Sequence, residues 1–204
     1  MYPPPANIAL AAADGGPWQA RRVLLFSGHM VDAPDRARPR FPASKQAAAA
    51  IAVASALDSL QAGPDDLGLT QGACGGDILF AEACLARGVK LQLLQPFTEA
   101  EFIAHSVLPG QADWLPRYQA IVAQLPNPPL AAPHALGPLA ESENPYERCN
   151  LWLLHTALAA GLAAPAFMCL WDGGGGDGPG GTAHMVAEVE QAGGRVVWLD
   201  TRTL

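Results

Sequence analysis

Short runs of apolar residues punctuate the chain, and between them the spacing of apolar positions becomes helical. Val23–Phe26 is the first run and ends in Ser27-Gly28-His29; Leu67–Thr70, Val89–Leu94, Ala166–Leu170 and Arg195–Leu199 follow. None alternates strictly between apolar and polar residues, so each reads as a strand covered on both faces. Lys45–Gln61 is an alanine-rich helix with Ser44 as its N-cap, ended by Gly63-Pro64. Ile78–Arg87 stops at Gly88, Thr98 caps Glu99–Ser106, and Asp113–Gln124 is a further helix. Asn144 or Glu143 opens a long helix to about Gly161, and Ala183–Ala192 is the last. The proline-rich stretch Leu125–Pro138 reads as irregular.

Strand and helix alternate almost throughout, which predicts right-handed βαβ units. The expected architecture is α/β with three layers: a mainly parallel sheet of about five strands, and helices on both faces. No repeat of solenoid period is visible. Residues 1–20, rich in Pro, Ala and Gly, read as a flexible arm, and residues 21–204 as a single domain.

Composition narrows the classes. Half of the 204 residues are hydrophobic and 15% are charged, as in ordinary globular chains. A net charge of −7 and a pI near 5.1 argue against a nucleic-acid surface. No window is apolar for the roughly 20 residues that a membrane span needs, and the N-terminal residues lack the basic-then-apolar pattern expected of a secretory signal. Cys74, Cys84, Cys149 and Cys169 lack CxxC spacing, so buried reduced thiols in a cytoplasmic protein are expected. The five histidines show no paired spacing with carboxylates, so no metal is implied, and nothing calls for a cofactor.

In an open parallel sheet, ligands bind beyond the C-terminal strand ends. Three such ends carry small or polar groups. The first is Ser27-Gly28-His29 with Asp32, and the second is Gly72-Ala73-Cys74-Gly75-Gly76-Asp77. The third is Trp171–Thr182, with Asp172, Asp177, Gly178, Gly180, Gly181 and Thr182. A glycine loop leading into a helix lets backbone N–H groups approach a phosphate, and the helix dipole favours the anion. Each end also has a plainer reading: a turn at Gly28-His29, an N-cap at Asp77, a flexible loop at Trp171–Thr182. Glu147 and Asn150 share a face at the start of the long helix. Arg36, Arg38 and Arg40 crowd one loop, as a phosphate clamp or a solvated surface. Neither GxGxxG after the first strand nor a Walker A Lys-Ser/Thr is present.

Val23–Asp32, the Gly-Ala-Cys-Gly-Gly-Asp-Ile-Leu turn, Leu91–Phe97 and the Asp172–Thr182 loop together resemble a known superfamily. It is the Rossmann-like SLOG group, which includes DNA-processing protein A and the "Lonely guy" phosphoribohydrolases. The likeness is nearest to the branch found as a module in bacterial signalling proteins, and runs in order over about Arg22 to Leu199. The resemblance implies a Rossmann-like three-layer sandwich and a nucleotide or nucleotide-derived ligand held by glycine loops. The phosphoribohydrolase motif Pro-Gly-Gly-x-Gly-Thr-x-x-Glu, registered on Gly181-Thr182, places Met185 at its catalytic glutamate. Glu188 lies one turn on, displaced by about 4–5 Å of helix rise.

Two functions follow as expectations. One is binding or sensing of a nucleotide, with Ser27, Gly28, His29, Gly72, Gly75, Gly76, Asp77, Asn150, Asp172, Gly178, Gly180, Gly181 and Thr182 at the ligand. The other is an N-glycosidic hydrolase or transferase, with Glu147 or Glu188 as the catalytic carboxylate. DNA binding of the DNA-processing type is disfavoured by the acidic charge. The expected partner is a small nucleotide-type molecule, without a membrane, and a homodimer is compatible with the sequence.

Overall fold

The computed structural model describes residues 2–3, 18–111, 113–160, 164–174 and 181–204. The strands are β1 (Arg22–Gly28), β2 (Asp66–Thr70), β3 (Lys90–Gln95), β4 (Leu130–Ala131), β5 (Ala166–Trp171) and β6 (Arg195–Asp200). The helices are α1 (Gln46–Ser59), α2 (Gly76–Leu85), α3 (Glu99–Phe102), α4 (Trp114–Val122), α5 (Ala132–Leu136), α6 (Pro145–Ala160) and α7 (Thr182–Gln191). All strand pairs are parallel, in the order β4-β3-β2-β1-β5-β6. The α/β class, parallel sheet and two helical layers are as expected.

The apolar runs of β1 and β5 are continuous because successive side chains enter different cores; β6, expected to be covered on both faces, lies at the sheet edge with no buried residue and Trp198 half exposed. On β1, Leu24 and Phe26 join one cluster with residues of α1, α2 and α4, where Phe26 stacks on Phe80 at 4.8 Å between centroids. Val23 and Leu25 join the other cluster, against α6 and α7. On β5, Met168 and Leu170 go to the first cluster, Phe167 and Cys169 to the second. All four cysteines are free and buried, Cys74 and Cys84 within one cluster.

Several details differ from the sequence expectation. The sheet has a sixth strand, β4, inside the stretch read as irregular; its two residues pair Leu94 with Leu130 and Gln95 with Ala131. So short a strand among prolines carries no periodic signal. Ser44 is not a side-chain cap: it lies within a 3₁₀ turn, Ala43–Lys45, and α1 starts at Gln46. The helix expected over Glu99–Ser106 is α-helical for four residues, then widens into a π turn, Ile103–Val107. Pro109 has no N–H to continue the ladder, and the Ser106 carbonyl accepts the Cys74 N–H at 2.8 Å instead. Thr98 does begin that element, its N–H and hydroxyl both donating to the Glu101 carboxylate.

The arm expected over residues 1–20 falls mostly on residues 1 and 4–17, which lie outside the described residues. The Tyr2 N–H donates to His155 Nδ1 at 2.9 Å, and the Trp152 indole donates to the Pro3 carbonyl at 3.2 Å. Among the described residues no helix is long and apolar enough to cross a membrane.

Candidate functional site

The chain leaves β1 toward β2 on one side of the sheet, and later returns through α6 to β5 on the other. Strand order therefore reverses between β1 and β5, the position where open α/β sheets form a ligand crevice. His29 follows β1 directly and Asp172 follows β5 directly. Their side chains meet there, Nε2 to Oδ1, at 3.0 Å. The Asp172 N–H lies 3.2 Å from the same nitrogen. A proton on Nε2 is donated to the carboxylate; with the proton on Nδ1, Nε2 accepts the backbone N–H instead. The Asp172 carboxylate also accepts the Gly174 N–H at 2.9 Å, and the Trp171 indole donates to the Gly174 carbonyl.

Burial pushes the His29 imidazole below its ordinary value; Asp172 opposes this, and the charge of Arg40 adds to it. Burial raises Asp172 but is outweighed by the Gly174 N–H and His29, and Arg40 lowers it further. A guanidinium thus acts on both members of the pair. The arginine loop is anchored at its two ends and solvated between them: Asp32 accepts the N–H groups of Arg40 and Phe41 at 2.8 and 2.7 Å and pairs with Arg36 at 3.3 Å, while Arg38 is exposed.

At the second strand end, the close approach that the glycines permit is taken by the chain itself. Gly75 has φ +107°, and a Cβ there would lie 2.6 Å from Val31 N and 2.7 Å from the His29 carbonyl oxygen. The Gly76 N–H donates to that carbonyl at 3.0 Å, and the Val31 N–H to the Cys74 carbonyl at 3.2 Å. Added Cβ atoms on Gly28 and Gly76 would meet the Phe26 ring at 2.9 and 3.1 Å. Gly72, at φ +95°, turns the chain out of β2. Asp77, 6% exposed, accepts the N–H groups of Gly72 and Ala73 at 3.1 and 3.2 Å. Burial nevertheless pushes its carboxyl up to about 6. Ser27 pairs with Cys169 in the β1–β5 register, one residue below the crevice.

Asn150 is buried on α6 and accepts a hydrogen bond from Gln71 Nε2 at 2.8 Å, linking that helix to the end of β2. Gln95 at the end of β3 donates to the Tyr118 hydroxyl, which donates to Glu99. Gln71, Gln95 and Tyr118 were not singled out from sequence; the available signal was a glutamine closing each apolar run. Arg148 points away, donating to the carbonyls of Ala132, Gly137 and Pro138 and so holding α5 and its following turn.

Glu147 and Glu188, separate candidates in the sequence, share one partner. His184 Nε2 lies 3.6 Å from Glu147 on α6 and 3.8 Å from Glu188 on α7. The reading that no histidine has paired spacing with a carboxylate is therefore corrected: His184 and Glu188 are i,i+4 on α7. His184 Nδ1 is buried with no hydrogen-bond partner among the described residues. Met185 is fully buried in the α6–α7 core, a position that would enclose a glutamate among apolar side chains. Gly181 is the N-cap of α7 and Thr182 its first residue, 8% exposed. Asp177, Gly178 and Gly180 lie outside the described residues.

No protein-family model matches the chain, and no curated protein matches it.

The reading therefore rests on the chemistry of the strand ends. Among the described residues no three His, Cys, Asp or Glu side chains gather to hold a metal ion. What does gather is an imidazole–carboxylate pair at the β1–β5 crevice, and a second imidazole between two carboxylates at the start of α7. Burial raises the Cys74 thiol to about 11, which favours its protonated form.

Proposed function

We propose that the crevice between β1 and β5 binds a nucleotide or nucleotide-derived ligand, as the resemblance to the SLOG group implies. The observation that carries this is the His29–Asp172 pair. It joins the two strand ends at the reversal of strand order, with Arg40 acting on both groups. The start of α7 lies on the same side of the sheet and supplies N–H groups and a positive dipole end for a phosphate. At α2 the N–H of the first residue, Gly76, is taken by the His29 carbonyl and that of Ile78 by the Ala73 carbonyl, whereas at α7 the N–H of the third residue, His184, turns back to the carbonyl of the helix's own cap, Gly181. The phosphate is accordingly assigned to α7.

Differential scanning fluorimetry with AMP, ADP, ADP-ribose and deoxynucleotides tests the reading. A ligand at a hundred times its Kd stabilises by about 2.7 kcal/mol. For a chain of this size that raises Tm by roughly 5–10 °C. His29→Ala and Asp172→Ala should lose the rise while remaining folded. If no nucleotide moves Tm, the proposal fails.

One observation favours an N-glycosidic activity as a second reading: Glu147 and Glu188 converge on His184. A carboxylate held there would stabilise oxocarbenium character at a ribosyl carbon. Release of base from AMP or a deoxynucleoside, abolished in Glu147→Gln or Glu188→Gln, would establish it. Binding without turnover leaves the chain a sensor.

A further inference from the structure

Beyond the crevice, the C-terminal edge of the sheet carries a group of ring faces and amides that the phosphate site does not use. Phe97 follows the end of β3, Tyr146 sits in the first turn of α6, and His105 comes from the π turn. Phe97 meets Tyr146 edge to face, 5.4 Å between centroids at 88°, and meets His105 at 5.7 Å. Phe97 and Tyr146 are half-buried and His105 is exposed, so the rings meet solvent instead of closing a core. Asn144 holds Tyr146 in place: its side-chain oxygen accepts the N–H groups of Tyr146 and Glu147 at 2.9 and 3.1 Å.

One turn along α6 from Tyr146 lies Asn150, joined to Gln71 at the end of β2. The Gln71 carbonyl in turn lies 3.4 Å from Gln95 Nε2 at the end of β3, two residues before Phe97. In the other direction Glu147, next to Tyr146, reaches His184 in the first turn of α7 at 3.6 Å. Named contacts therefore connect the start of α7 to the aromatic group. The lateral reach from the β1–β5 crevice to the end of β3 is two to three strand spacings, about 10–14 Å.

Resting on the nucleotide reading above, we propose that Phe97 and Tyr146 form the stacking wall of a nucleobase subsite, with the half-buried Gln71 at the base's polar edge and the buried Asn150 holding that amide in place. A planar nitrogen heterocycle fits this chemistry. Its π face stacks on an aromatic ring without regard to sequence-like detail, and its ring nitrogens and exocyclic groups match amide donors and acceptors. Glu147 and His184 then lie between base and phosphate, where a ribose sits. The base of the proposed nucleotide thereby has contacts of its own, apart from the phosphate site at α7.

Isothermal titration of the full chain with AMP, GMP and ribose 5-phosphate separates the two proposals. The expected result is at least tenfold tighter binding of one nucleotide than of ribose 5-phosphate. Tyr146→Ala and the milder Phe97→Leu should weaken the nucleotide tenfold or more and leave ribose 5-phosphate unchanged. Equal affinity of ribose 5-phosphate and both nucleotides for the parent chain overturns the base subsite while the phosphate site stands. Equal loss for sugar phosphate and nucleotide in both variants, or no loss in either, also overturns it. No binding of any of the three ends both proposals.

Discussion

Gly75→Ala tests whether the second glycine turn is a packing device. At φ +107° and ψ −128° the residue occupies backbone space essentially reserved for glycine, and forcing alanine there costs about 1–3 kcal/mol. The new Cβ would stand 2.6 Å from Val31 N and 2.7 Å from the His29 oxygen, both backbone atoms with no rotamer to yield. Relief requires the His29–Val31 segment to part from the start of α2. That breaks the bonds from Gly76 N–H to the His29 carbonyl and from Val31 N–H to the Cys74 carbonyl, about 1 kcal/mol each. The sum is about 3–5 kcal/mol, a fall in Tm of roughly 6–20 °C for a chain of this length. Gly63→Ala is the control, since a Cβ at Gly63 meets nothing within 4 Å; its stability should stay within about 0.5 kcal/mol of the parent. Calorimetry of the two variants beside the parent decides the matter. A Gly75→Ala protein melting within about 2 °C of the parent would refute the packing argument, as would an equal fall for Gly63→Ala.

Asp77, whose carboxyl titrates at about 6 in the fold and near 3.8 unfolded, makes the folded state bind more protons between those values. Its contribution to stability therefore falls as pH rises from about 4 to 6, by about 3 kcal/mol in all. Asp77→Asn should remove that slope, and parallel pH–stability curves for parent and variant in urea titrations would contradict it. His29, held below its ordinary value by burial, should titrate by NMR below 6.5, and Asp172→Asn should move it lower still because the carboxylate supports the imidazolium. The corresponding stability is present above 6.5 and lost as pH falls through the folded value; an upward shift in the variant would sink the assignment. Arg148→Lys should destabilise by about 3 kcal/mol in guanidinium melts, since an ammonium cannot span the carbonyls of Ala132, Gly137 and Pro138. A loss below 1 kcal/mol would show that those contacts are dispensable.

The fold was legible because its signals are local and redundant. Val23–Phe26 and Ala166–Leu170 are apolar at every position and too short for a helix, as strands covered on both faces are, and the helices between them carry caps that function as read at Thr98 and Asn144. What escaped was structure fixed by contacts distant in sequence. The β4 pairing depends on Leu94 and Gln95 thirty-six residues earlier, and a two-residue strand has no period of its own. The Glu147–His184 contact crosses from α6 to α7, so spacing along the chain could not reveal it, although the His184–Glu188 half of the cluster was visible as an i,i+4 pair.

The glycines show most clearly how a sequence signal and its cause can part. Gly28, Gly75 and Gly76 announce that something must approach the backbone closely, and the sequence alone does not say what. In the fold the approaching groups are Phe26, Leu170 and the His29–Val31 backbone, so these glycines need no ligand to explain them. The consequence for function is positional. Packing the His29–Val31 segment against the start of α2 fixes the residue that follows β1, and that is what brings the His29 imidazole within 3.0 Å of Asp172 across the crevice. The α2 turn, open in the sequence between a tight N-cap turn and a place of close ligand approach, thus supports the segment that sets the imidazole. Under the proposed function the anion belongs at α7, and the glycines of the α2 turn matter to binding through His29, so a Gly75→Ala protein that still folds should lose nucleotide affinity together with the His29–Asp172 contact.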